Sequence, residues 1–276
     1  YSPSMKLYNR MMYISLLVNQ YKTDKMRKKA AREKLWLAQN GAYLLATAKE
    51  PVDNNLNRQQ AYKYLSEAEK MLRSEGDFVE SLTSFDYDND GIPEYVCRME
   101  QYFAYISLNG GAVRELDIMK NLCNYADNLK RRAIFDGFDD DYERGIFIDH
   151  LFTSEQFKNY SGGEPAGDGV FSRIQYSELK YSQSHKELQL CARAVWKPTG
   201  QTVYLRKKYV INSTGMYVQY IIKNESDKTL GAKFAVESNI SNIFFKNDDK
   251  NGFNIETVDN GEVFIVNSKK STKSIN

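Results

Sequence analysis

Cysteine and histidine are scarce: the 276 residues hold three cysteines, Cys97, Cys123 and Cys191, and two histidines, His150 and His185. An odd cysteine count without C-x-x-C spacing argues against a disulfide framework and against a zinc ribbon. Two histidines leave few options for metal ligation or imidazole acid–base chemistry. Charge of either sign is not in surplus, since 38 Lys+Arg face 36 Asp+Glu and leave +2. So small an excess gives no electrostatic case for nucleic acid or an anionic membrane as a partner. No apolar run approaches the roughly 18–20 residues that span a bilayer. No charged start followed by an apolar stretch marks a signal peptide, and a cytoplasmic protein is expected. The first residue is Tyr and not Met, which points to a fragment or a processed chain. A Gly-rich phosphate loop, a Ser-His-Asp ordering signal and an HExxH helix are all missing.

What is there is an ordinary globular composition, 42% hydrophobic and 27% charged, of a length for one large domain or two average ones. The first 76 residues carry the helical period. Leu7, Met11, Ile14, Val18 and Tyr21 recur at spacings of four and three, and Ser2-Pro3 ahead of them fits a cap with proline at the first helical position. A second helix is expected from Asp24 to Glu50, with Ala31, Leu35, Ala38, Ala42 and Leu45 on one face and Pro51 as its stop. A third opens at Asn57, with Gln60 at capping-box spacing, buries Ala61, Leu65, Ala68 and Leu72, and ends at Gly76. The basic run Arg27-Lys28-Lys29 reads as a solvated helix face, given Glu33 and Glu50 nearby.

From residue 77 the period changes to two. Strands are expected over 94–99, 102–108 and 112–118, then over 170–176, 186–196, 202–211, 216–224, 232–240, 253–258 and 262–267. Tight turns such as Asn109-Gly110-Gly111, Pro198-Thr199-Gly200 and Asp259-Asn260-Gly261 join them, which implies antiparallel pairing. The stretch 120–169 is less regular, begins helix-like, and passes through Asp139-Asp140-Asp141. The expected fold class is α+β: a helical segment, 1–76, followed by a large antiparallel β-sandwich, 77–276.

The clearest chemical motif is Asp86-Tyr87-Asp88-Asn89-Asp90-Gly91-Ile92-Pro93-Glu94. Oxygen ligands at alternating positions with a glycine for the turn suit calcium, which takes carboxylate and carbonyl oxygens. Asp86, Asp88, Asp90 and Glu94 are the candidate ligands. The run is not an EF-hand, because its twelfth position is Cys97, and a loop whose Asp side chains bond nearby amides is the other reading. Asp149-His150 is a candidate proton-transfer pair, yet neighbours on a strand point to opposite faces. His185 sits at a hairpin and is expected to be exposed. Twenty Tyr and two Trp offer sugar-stacking surface, although aromatics in strands mostly pack the core.

Several segments in order resemble the C-terminal half of glycoside hydrolase family 57, the branch with 4-α-glucanotransferases and related α-amylases. They are Ala31-Arg32-Glu33-Lys34-Leu35-Trp36-Leu37-Ala38-Gln39-Asn40 with Ala42-Tyr43; Tyr64 to Glu69; Phe85 to Glu94; Gly110-Gly111-Ala112 with Glu115-Leu116-Asp117; Ile148 to Phe152; Gly167-Asp168; Arg206 to Tyr209; and Glu237-Ser238-Asn239. The resemblance implies a β-super-sandwich of the galactose mutarotase-like kind. It also implies action on α-1,4-glucans by a retaining mechanism whose two carboxylates lie in an N-terminal barrel outside this chain. The expected partners are therefore an α-glucan oligosaccharide or polysaccharide and that catalytic barrel, with no catalytic residue in these 276 positions. Trp36, Gln39, Asn40 and Tyr43 are the residues expected to face substrate. The family's Trp-His-Gly after Ala-Tyr is replaced here by Leu44-Leu45-Ala46, which cannot hydrogen-bond a sugar. A degenerate, stand-alone glycan- or protein-binding module is the alternative expectation.

Overall fold

The computed structural model describes residues 3–44, 51–73, 78–128, 140–162, 164, 166, 169–241, 253–257 and 264–268. Its helices are α1 (Pro3–Gln20), α2 (Lys25–Ala38), a single turn α3 (Gly41–Leu44), α4 (Pro51–Leu72) and α5 (Ser154–Ser161). The expected buried stripes are in place: Leu7, Met11, Ile14 and Val18 of α1, Ala31, Leu35 and Ala38 of α2, and Ala61, Leu65, Ala68 and Leu72 of α4 form one core. Asp24 caps α2, its side chain accepting from the amides of Met26 and Arg27.

Two helix boundaries differ from expectation. The second helix stops at Ala38 because Gln39 closes its last turn and the Asn40 side chain accepts from the amide of Ala42, starting a new turn. Pro51 begins α4, six residues before the expected opening at Asn57, at the position where a fixed φ and a missing donor cost least. The expected helix ends at Glu50 and Gly76, Leu45, Gly167-Asp168 and the turn Asp259–Gly261 lie outside the described residues.

Two antiparallel sheets follow. The larger runs β1 (Ser81–Phe85), β2 (Glu94–Arg98), β3 (Tyr102–Ile106), β4 (Val113–Ile118), β6 (Ile146–Phe152), β11 (Lys233–Ser238), β13 (Phe264–Ser268), β12 (Phe253–Thr257), with β5 (Cys123–Asn124) paired to β4. The smaller runs β10 (Gly215–Asn224), β9 (Gln201–Asn212), β8 (Glu187–Trp196), β7 (Ser177–Ser182). Strands β1 and β6 arise where no strand was expected, and the segment expected as a strand over 170–176 forms instead a 3-10 turn at Phe171–Arg173 that leads into β7.

The result is an α+β sandwich of three layers: helices, the large sheet, the small sheet. Alternation along β3 shows the logic. Tyr102, Ala104 and Ile106 join Leu188, Leu190, Leu205 and Tyr209 between the sheets, while Phe103 and Tyr105 join Tyr87 and Val96 beneath α1. Strands β2 and β3 are consequently buried on both faces. Farther along, Ile148 and Phe152 of β6 pack under α5 with Tyr160.

Candidate functional site

Ionisable side chains sit between the layers, where composition alone gives no reason to look. Arg10 of α1 is fully buried and holds Glu69 of α4 at 2.6 Å, Glu115 of β4 at 3.1 Å and Asp117 of β4 at 2.8 Å. Its guanidinium lies 3.5 Å over the Phe103 ring. Glu69 also binds Arg73 at 2.7 Å and Arg98 at 2.9 Å, and these cations hold its carboxyl low although burial opposes them. Burial pushes Glu115 well up and Asp117 up to about 6; their mutual repulsion adds to Glu115's shift, while Arg10 pulls both down. The pair is sealed beneath α1 and α4, so it clamps helices to sheet and offers no path to a substrate.

Asp149 and His150 do point to opposite faces of β6. Asp149 Oδ2 lies 2.8 Å from Lys207 Nζ and accepts from the Tyr176 hydroxyl at 2.8 Å, all between the sheets. Lys207 also donates to the Phe147 carbonyl, which a bulge with positive φ at Phe147 turns inward. Three rings, of Tyr176, Tyr209 and Tyr220, surround the ammonium at 5.5–5.7 Å. On the other face, His150 Nε2 lies 2.7 Å from Glu237 Oε2, which also accepts from Tyr142 at 2.7 Å. Burial raises Glu237, but hydrogen bonds from His150, Tyr160 and Tyr142 hold it at about 2. Both pairs are completely enclosed. Neither Asp149 nor His150 can meet a ligand from solvent, and they do not act on a common atom.

The four residues expected to face a glucan divide. Trp36, on the outer side of α2, leaves 62% of its surface exposed. Gln39, the C-cap of α2, and Asn40, just beyond its end, are exposed as well. Tyr43 is half-buried and packs against the helical core. Three of the four, an indole and two amides, are therefore open to solvent.

The acidic loop also divides. Asp86, Asp88 and Glu94 bring one carboxylate oxygen each within 4.8 Å of the others. Asp90 is outside that group, its carboxylate accepting from the Ile92 amide at 2.8 Å. Asp86 spends both oxygens on the amides of Asp90 and Gly91, and Gly91 takes the positive φ of 87° that the turn requires. Glu94 is fully buried; its Oε2 accepts from the Tyr87 amide at 2.9 Å while Oε1 has no hydrogen-bond partner. Burial pushes its carboxyl up to about 8, and the charges of Asp88 and Asp90 add to this. Three carboxylates brought together in this way make an all-oxygen donor set of the kind that fits calcium.

The inter-layer residues left partial signals in the sequence. Lys207 occupies the inward parity of β9 with Val203, Leu205, Tyr209 and Ile211, and Arg206 and Lys208 flank it outward. Arg10 falls on a stripe with Lys6 and Tyr13, distinct from the apolar one. Among the described residues no helix is long and apolar enough to cross a membrane.

Comparisons with known proteins bear on the same chain. Residues 138–273 match the family model described as alpha-amylase/4-alpha-glucanotransferase, C-terminal. The fold superposes on the crystal structure of 4-alpha-glucanotransferase from Thermococcus litoralis with a TM-score of 0.72 and 20% identity, over 87% of this chain and 37% of that one. Comparison with curated protein sequences returns no match.

Proposed function

We propose, from the match of residues 138–273 to the alpha-amylase/4-alpha-glucanotransferase C-terminal family, that this chain is the accessory portion of an α-glucan-active protein of glycoside hydrolase family 57 type. In this reading residues 1–76 are the helical segment that follows the catalytic barrel. Residues 77–276 are a β-super-sandwich domain related to galactose mutarotases. The chain spans 37% of the length of the aligned glucanotransferase, and the two carboxylates of a retaining mechanism belong to the part it does not span. Its own contribution is to support that part and to hold a glucan chain.

The observation that carries the binding role is the exposed Trp36 of α2, followed within four residues by the exposed amides of Gln39 and Asn40. An indole stacks on a sugar face, and amides both donate to and accept from hydroxyls. Leu44-Leu45-Ala46 stand where the family has Trp-His-Gly, so the contact rests on Trp36 stacking with fewer polar anchors. Isothermal titration with maltoheptaose tests it. Saturable heat that disappears in Trp36→Ala supports the reading; a flat titration of the folded chain leaves it as a scaffold without affinity for glucan.

The second component is calcium held by Asp86, Asp88 and Glu94, with structural use only. Calcium satisfies Glu94 Oε1 and ties β2 to the loop that precedes it. Thermal unfolding in calcium and in EDTA tests this. A melting temperature raised by calcium in the parent chain and unmoved in Glu94→Gln is expected; equal midpoints in the parent leave a polar loop.

A further inference from the structure

The circumference of α1 divides into three faces. Lys6, Asn9, Arg10 and Tyr13 lie against the large sheet, where Lys6 pairs with Glu143 at 3.4 Å, Arg10 holds Asp117, and Tyr13 packs on Phe85, Tyr87 and Phe103. Leu7, Met11, Ile14 and Val18 lie against α2 and α4. The third face is open, and it is apolar: Met5, Tyr8, Met12 and Leu16 are 45%, 45%, 51% and 48% exposed. They are also the only exposed residues of the helix between positions 5 and 16. The arrangement is inverted, with cations turned inward and hydrophobes outward. On α2, by contrast, Lys25, Arg27, Lys29 and Glu33 share the outer side with its apolar residues. A helix that turns only hydrophobes to water over this stretch presents a surface of the kind that marks an interaction site.

We propose that this face of α1 is the seat of the catalytic part of a longer polypeptide that includes this chain. The inference rests on the functional reading above and names the surface through which support is given. Two observations select this occupant. Four half-exposed side chains offer roughly 400 Å², about half of the ~800 Å² per partner that a stable, freely diffusing complex buries. A patch of that size holds a tethered neighbour, whose effective concentration replaces missing area, better than it holds a second copy. The aligned glucanotransferase also carries most of its length, all but 37%, outside the region matched here. The face bears no charge, so its cover is apolar as well.

Methionine oxidation reads this directly, because Met5 and Met12 lie in the face while Met26 of α2, at 74% exposure, lies off it. The chain of 276 residues and the longer polypeptide from its own reading frame are treated with dilute peroxide, and sulfoxide formation at each methionine is followed by mass spectrometry. Met5 and Met12 are expected to oxidise at least tenfold more slowly in the longer polypeptide, with Met26 unchanged. The buried Met11 and Met99 stay slow in both samples and report that each is folded. Equal rates at Met5 and Met12 overturn the proposal, as does a reading frame that encodes nothing more. Protection of both residues in the short chain as its concentration rises overturns it in favour of a second copy. Protection in a polypeptide that gives no maltoheptaose signal keeps the docking face and removes the glucan reading. A signal with Met5 and Met12 unprotected does the reverse.

Discussion

Arg10 and Asp117 are 107 positions apart in sequence, and Arg10 Nε donates to Asp117 Oδ2 at 2.9 Å beneath the first helix. With Glu69 and Glu115 they form a charge cluster with no access to water, which ties α1 and α4 to the large sheet. Removing one partner of such a cluster costs more than the cluster contributes, because the others stay buried and uncompensated.

Arg10→Met is therefore expected to destabilise the chain by about 3–5 kcal/mol at pH 7. The loss shrinks at pH 5, where protons on Glu115 and Asp117 replace the missing cation. Urea unfolding at the two pH values measures both; a pH-independent loss would contradict the assignment.

The raised value of Asp117, about 6, has a definite sign for stability. Above about pH 4 the unfolded chain has released this proton and the folded chain retains it, so stability falls as pH rises from about 4 through about 6. The slope attributable to this one group reaches ~1.4 kcal/mol per pH unit. Asp117→Asn removes the titration, and its unfolding free energy should be flatter over the same interval.

Lys207→Met leaves Asp149 buried against three tyrosine rings without its cation, at an expected cost of about 3–5 kcal/mol. The double variant Lys207→Met, Asp149→Asn keeps the volume and removes both charges. It should recover more than half of the loss, which a double-mutant cycle in guanidinium would quantify.

Leu35 and Trp36 are neighbours in sequence with opposite fates. Leu35→Ala opens a hole in the helical core and should cost about 2–5 kcal/mol. Trp36→Ala should shift stability by less than about 0.5 kcal/mol, since most of its surface is already in water. Calorimetry of the two variants checks this, and a large loss in Trp36→Ala would mean that its ring is packed.

Periodicity made the outline legible. The buried stripes of α1, α2 and α4 and the strands β8, β9 and β10 stand within a residue or two of where apolar spacing puts them. The break at Asn40 was harder to see, because a side chain capping its own neighbour competes with helix continuation and leaves the apolar period intact. Strand β6 was missed because its run, Ile146 to Phe152, buries both faces and so has no alternation to detect. At the candidate sites the residue types were readable and the grouping was not. Asp90 belongs to the acidic run by spacing yet turns to a backbone amide, and Tyr43 follows Trp36 by helical count yet turns to the core. Lys207 was hidden between two outward-facing, half-buried cations, and only its parity among Leu205 and Tyr209 marks it as buried.

Asp149 and His150 work as a parity check on strand β6. Moving β6 by one residue relative to its neighbours exchanges its two faces. Asp149 would then meet Glu237 under α5, carboxylate against carboxylate. His150 would enter the space between the sheets and face Lys207, a base against a cation. Either encounter penalises the slipped strand without any apolar residue being misplaced. A strand buried on both faces has little hydrophobic contrast to define its register, and here two adjacent ionisable residues with partners on opposite sides supply it.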